Sequence, residues 1–152
     1  MAWDSTAPLY AIRDLLASLE GVQSAQIGAP ASASTVVGAY VTLGPDGTGD
    51  QLAGAQRGEI AYFCALHYRV SGNAASAELA LAAAKDDLKH KWLIQRPAQT
   101  GLFQTSVTQV QRARLDLTLA SSPEYQPLAG QELRVWPFWI YCTQTESFST
   151  GG

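Results

Sequence analysis

Two cysteines, two histidines and one methionine are all that the 152 residues offer of the side chains most used for redox chemistry and soft-metal ligation. Neither His67 nor His90 belongs to a cluster of ligands at metal-binding spacing, and metal centres are built from such clusters, so no metal site and no cofactor are expected. Basic residues are also few. Ten Lys and Arg against thirteen Asp and Glu give a formal charge of -3 and a pI near 5.2, which argues against a surface built to grip phosphates. Apolar runs fall far short of a bilayer span, and the start MAWDSTAPLY lacks the basic and apolar regions of a secretory signal, so a soluble protein is expected. Nucleotide and hydrolase motifs are missing as well. There is no Gly-Lys-Ser/Thr, no Gly-x-Gly-x-x-Gly and no Gly-x-Ser-x-Gly, so neither a phosphate cradle nor an activated serine is indicated. Cys64 and Cys142 sit in apolar strand contexts without a cysteine framework, and reduced buried thiols are expected, a bridge between them being the lesser alternative.

What is present centres on residues 59–95. Ile60, Tyr62, Cys64, Leu66, Tyr68 and Val70 alternate with Glu59, Ala61, Phe63, Ala65, His67 and Arg69, the period of a pleated strand with one apolar face. After Ser71-Gly72-Asn73, with Asn73 as a capping residue, Ala77, Leu81, Ala84, Leu88 and Trp92 recur every three or four residues and predict an amphipathic helix. Its alanines let it approach a sheet closely, and Lys85, Asp86, Asp87, Lys89 and Lys91 are assigned to its solvated side.

At this length one domain spanning 1–152 with one core is expected. Asp4-Ser5-Thr6 and Pro8 start a helix whose stripe is Leu9, Ile12, Leu15, Leu16 and Leu19, ending at Gly21. Strands are predicted over 22–27 and 36–43, with Gly38 as a possible bulge and Tyr40 and Val41 facing opposite ways. Residues 44–58, with five glycines and a proline, read as a mobile loop, since they have little to bury against the entropy of ordering. Further strands are predicted over 107–119, with Ala113, Leu115, Leu117 and Leu119 inward, and over 133–143. Pro137 places the latter at a sheet edge or a bulge, and the tail 144–152 reads as frayed. The last strand is bulky on both faces, Val135, Trp139 and Tyr141 against Trp136, Phe138 and Ile140, so cover is expected on both, from a helix, a strand or another subunit. The fold class expected is α+β, a single mixed and mostly antiparallel sheet with two main helices packed on it.

Several constellations could carry chemistry, and each has a plainer reading. His67 reads as a half-exposed cross-strand neighbour rather than a base. Asp86 and Asp87 are adjacent, so on a helix they point about 100° apart and cannot act as an acid and base pair. Arg112 and Arg114, with Arg69, could form a basic stripe or a solvated strand face. Trp136 and Trp139 read as core or subunit contact before ligand stacking.

The order of elements, with Leu15-Leu16-Ala17-Ser18-Leu19-Glu20-Gly21-Val22, the strand and helix from Tyr62 through Ala77-Glu78 to Asp86-Asp87-Leu88, the Gly101-Leu102 turn, and Tyr125, Gly130, Arg134 to Tyr141 and Glu146-Ser147-Phe148, resembles the tail terminator (tail completion) proteins of long-tailed bacteriophages. The resemblance implies a virion protein with no catalytic role, assembled in the host cytoplasm. It implies a ring, usually of six copies, that docks on the tail tube protein, stops tube growth and meets a neck or head-completion protein, with DNA sliding through unbound and no membrane partner. On that footing the candidate subunit interface is Val135, Trp136, Phe138, Trp139, Tyr141, Arg112 and Arg114, with the outer ends of the long strands, and the candidate tube contact is Asp46, Asp50, Gln51, Gln56 and Arg57, in a loop that orders on the tube. Two alternatives stay open: a neck or head-completion adaptor, and a small-molecule-binding α+β domain with a pocket lined by Tyr62, Trp136 and Trp139.

Overall fold

A computed structural model describes residues 4–32, 34–46, 50–52, 55–72, 74–92, 110–117, 124–128 and 130–147. The described residues form an α+β fold with one mixed sheet and two helices. In order, the elements are α1 (Thr6–Ala17), β1 (Ser24–Ile27), β2 (Gly38–Asp46), β3 (Asp50–Leu52), β4 (Ala55–Arg69), α2 (Ala74–His90), β5 (Val110–Asp116), β6 (Glu124–Leu128) and β7 (Gln131–Ser147). The main path across the sheet is β1-β2-β4-β7-β5, with β3 paired to β4 and β6 to β7. Only β1 and β2 run parallel.

Both helices cover the same face. The core joins Ile60, Tyr62, Cys64, Leu66 and Tyr68 of β4 and Trp136, Phe138, Ile140 and Cys142 of β7 to Ile12, Leu15 and Leu16 of α1 and Ala77, Leu81, Ala84 and Leu88 of α2. These are the side chains that strand alternation and helical spacing select. The Asp4 carboxylate caps α1 by accepting from the amides of Thr6 and Ala7 at 3.0 and 2.9 Å, while Ser5 makes no side-chain cap. The helix ends at Ala17, and Gly21, with φ +84°, makes the turn beyond it. A Cβ there would lie 2.7 Å from the Ala80 carbonyl oxygen, so glycine permits both the backbone conformation and the close approach to α2.

Polar side chains bind the helices to each other and to the sheet. Lys91 donates to the Ser18 carbonyl at 2.7 Å and pairs with Asp87 at 3.1 Å, and Asp87 accepts from the Glu20 amide at 2.9 Å. Asp87 and Lys91 therefore close the end of α1 rather than occupying a solvated side. Burial pushes the Asp87 carboxyl up, but the Glu20 amide and Lys91 outweigh it and hold the group below its usual range. On the other side of α2, Glu78 accepts from Arg134 (2.8 Å at the closest) and from the Tyr68 hydroxyl. The bonds from Arg134 and then Tyr68 lower its pKa.

The strand carrying Pro137 lies inside the sheet, which corrects the edge expected from the proline. β7 pairs with β4 without interruption from Leu133 to Ser147. The Val70 amide donates to the Glu132 carbonyl, and since hydrogen-bonded pairs alternate along an antiparallel ladder, Ala65 and Pro137 form a non-hydrogen-bonded pair. The missing N–H of Pro137 therefore faces away from β4. On that side β6 reaches back only to Val135 and β5 begins only at Trp139, so among the described residues no strand faces the proline there. β5 and β6 run in the same direction and together form one outer strand broken opposite it.

Other boundaries also differ from expectation. Residues 44–46, 50–52 and 55–58, assigned to a loop, are strand backbone. Asp46 pairs with Ile60, Asp50 with Arg57 and Gln51 with Gln56, so the candidate tube-contact residues lie on the ladder of a long hairpin. Cross-strand backbone bonds need no apolar side chains, which is why composition alone missed them. Gly38 is paired in register with His67, and the irregularity in β2 falls between Leu43 and Asp46 instead. The expected tail is corrected at its start: Gln144 is 1% exposed, it exchanges hydrogen bonds with the backbone of Asp4 at 2.9 and 2.5 Å, and the strand runs on to Ser147. Asn73, the Gly101-Leu102 turn, residues 107–109 and 118–119, and the tail beyond Ser147 lie outside the described residues.

Candidate functional site

Alternation that sends one set of β4 and β7 side chains under the helices sends the other set to the opposite face, where no described helix lies. That second face is built from Glu59, Ala61, Phe63, Ala65, His67 and Arg69 of β4, Leu133, Val135, Pro137, Trp139 and Tyr141 of β7, Tyr40 and Thr42 of β2, and Arg114 and Asp116 of β5, as the registers require. Its rings touch in a continuous row. Tyr40 meets His67 at 5.6 Å between centroids and Phe63 at 6.1 Å, Phe63 meets Trp139 edge-on at 5.2 Å, and Trp139 stacks on Tyr141 at 6.2 Å. The Arg114 guanidinium lies 3.9 Å from the centre of the Tyr141 ring and pairs with Glu59 through two contacts of 3.2 Å. Arg114 thus ends the row as a cation over the negative face of a ring.

Glycine makes room for this row. A Cβ on Gly44 would fall 2.6 Å from the Trp139 ring and 2.9 Å from the Ala61 carbonyl oxygen, so the indole lies over bare backbone at the β2 irregularity. A Cβ on Gly38 would sit 3.0 Å from the His67 ring. Under the row, Ala65 and Val135 are fully buried together with Leu133 and most of Tyr40. The aromatic side chains therefore do the work that helices do on the other face.

His67 departs from the half-exposed neighbour expected of it. It is 6% exposed, its Nδ1 has no hydrogen-bond partner among the described residues, and burial pushes its pKa down to about 4. A neutral imidazole held this way is a packing group, and no carboxylate among the described side chains orients it for proton transfer. The thiols are equally enclosed. Cys64 and Cys142 are free and buried, burial raises both, and Cys142 is pushed up to about 12.

The structure divides the residues expected at a subunit contact. Val135, Trp139, Tyr141 and Arg114 share the second face, and on β5 the backbone of Arg112 pairs with Thr143 of β7. Trp136 and Phe138 do not join them: they pack against each other at 5.4 Å within the helix-covered core, so the expectation that they meet a neighbouring subunit is corrected. Their positions in the strand pattern carried this information, because even-numbered residues of β7 share the face of Tyr62 and Cys64. The same division removes the pocket imagined between Tyr62, Trp136 and Trp139, since the first two lie on one face and the third on the other. A hollow of about 250 Å³ between α2 and the approach to β2, lined by residues such as Gln23, Val37, Ser76 and Ala80, has no ionisable side chain among its described lining residues. Among the described residues no three His, Cys, Asp or Glu side chains are placed to hold a metal, and no helix is long and apolar enough to cross a membrane.

The chain matches no protein-family model and no curated protein.

Proposed function

We propose that this protein is a structural tail terminator of a long-tailed bacteriophage, a virion protein that forms a ring on the end of the tail tube, halts tube growth and presents the surface joined by the neck. The observation that supports it best is the two-sided sheet: helices close one face, and a row of half-buried rings ending in Arg114 and Glu59 occupies the other. A closed ring needs each subunit to offer two different, complementary surfaces. Aromatic residues and arginine are enriched where proteins meet. In this reading the face carrying Trp139, Tyr141 and Arg114, with Val135 buried beneath it, contributes one of those surfaces, and the hairpin end with Asp46, Asp50, Gln51, Gln56 and Arg57 meets the tube protein. The net charge of -3 suits a channel through which DNA slides unbound.

The test is to add the purified protein to a tail tube protein from the same genome while tubes are growing, and to measure tube lengths by electron microscopy. Shortened tubes with a ring of density at one end are expected. Tubes that grow to the same lengths with bare ends would refute the reading.

A further inference from the structure

We propose that the sheet face opposite α1 and α2 seats a second copy of this chain about a two-fold axis, giving a concentration-dependent dimer. Charge is the first argument. Glu59 and Arg114 lie side by side with side chains 29% and 55% exposed, so a two-fold operation can set each Arg114 against the Glu59 of the other copy, and four charges then alternate around the axis. Asp116 lies on the same face, so the described charges around the pair are of both signs and a copy finds an opposite charge for each.

The second argument is the row of rings. Phe63, Trp139 and Tyr141 are half-buried, no described helix covers them, and such rings gain from being buried fully. Area sets the strength. Four strands at about 4.8 Å spacing, over the six steps from Glu59 to Ala65 at about 3.4 Å each, make a patch on the order of 400 Å². That is about half of one side of a standard interface, which places the pair among weak, reversible complexes. The pairing takes the face that the tail-terminator reading gives to the ring, so dimer and ring are alternative states of one surface, and the pairing itself needs no tail tube.

The experiment uses two full-length variants, Glu59→Arg and Arg114→Glu, followed by sedimentation over a range of concentrations. In the first variant both positions are positive and in the second both are negative, so each alone is expected to dimerise about tenfold more weakly than the unaltered chain. Mixed together they are expected to form a heterodimer at least as tight as the original pair, since each surface then faces its opposite. Variants that dimerise alone as well as the unaltered chain, or a mixture that stays monomeric, would overturn the proposal. If either variant does not fold, a dilution series of the unaltered chain by NMR decides: concentration-dependent shifts at Phe63, Tyr141 and the Trp139 indole support the dimer. Shifts elsewhere or none at all refute it. Tube-length assays on the unaltered chain report separately on the terminator reading.

Discussion

The two faces of β4 and β7 are made by neighbouring residues of the same two strands, yet they are closed by different means. Beneath the helices the sheet presents residues such as Phe138 and Ile140, and long-range packing from α1 and α2 excludes water. On the other side the cover is lateral: rings lie against one another across strands, over glycines that leave space for them. A face covered from above loses its seal when a single large side chain is removed, because neighbours on rigid elements relax only in part. A face covered by its own rings stays partly wet and remains able to meet another molecule.

The largest effect that separates the two is expected from Phe138→Ala. Phe138 is fully buried, and its loss should lower stability by about 3–5 kcal/mol in urea unfolding, whereas Trp139→Ala should lower it by about 2 kcal/mol because the ring is already partly exposed. Equal losses would mean that the second face is as closed as the first. Acid is expected to act next, reaching the second face first, since the carboxyls of Glu78 and Asp87 on the helix-covered side are held below their usual range. Unfolded, His67 takes up its proton near pH 6.5, while in the folded chain it stays neutral down to about 4. The unfolded state therefore binds more protons between these values, so the contribution is complete above pH 6.5 and is lost as pH falls toward 4, by roughly 3 kcal/mol. Denaturation midpoints measured across that range should flatten in His67→Gln.

A smaller break is expected from Gly44→Ala, whose new methyl must displace the Trp139 ring or the backbone at Ala61. It should cost about 1–3 kcal/mol and shift tryptophan fluorescence, and Trp139→Ala in the same chain should recover part of that loss. The least is expected from Arg114→Ala. Its ion pair and ring contact are exposed, so stability should change by less than about 1 kcal/mol. A larger change would show that the end of the row is held more firmly than its exposure indicates.

Periodicity made most of the fold legible. The stripes of α1 and α2 and the alternation of β4 and β5 put Ile12, Leu16, Leu81, Leu88, Tyr62 and Leu115 on the core side, where they are found. Composition misled where backbone pairing decides the outcome. Glycine, glutamine and aspartate over 44–58 gave no burial signal, yet their main chain extends a hairpin. Pro137 pointed to an edge because a sequence does not show which way an amide would have faced. Gln144 and Lys91 read as solvated groups, and only the folded chain brings Asp4 and Ser18 to them. Of the candidate face, the residue types were legible, but sorting Trp139 from Trp136 required strand parity to be applied residue by residue.

The gap beside Pro137 also bears on how the rim of the molecule comes apart. Between Asp116 and Glu124 the chain takes eight steps, while its partner takes four from Trp139 back to Val135, so β5 and β6 hold their registers on β7 separately. The two halves of the outer strand are thereby anchored independently. Amide exchange should find them opening as separate units.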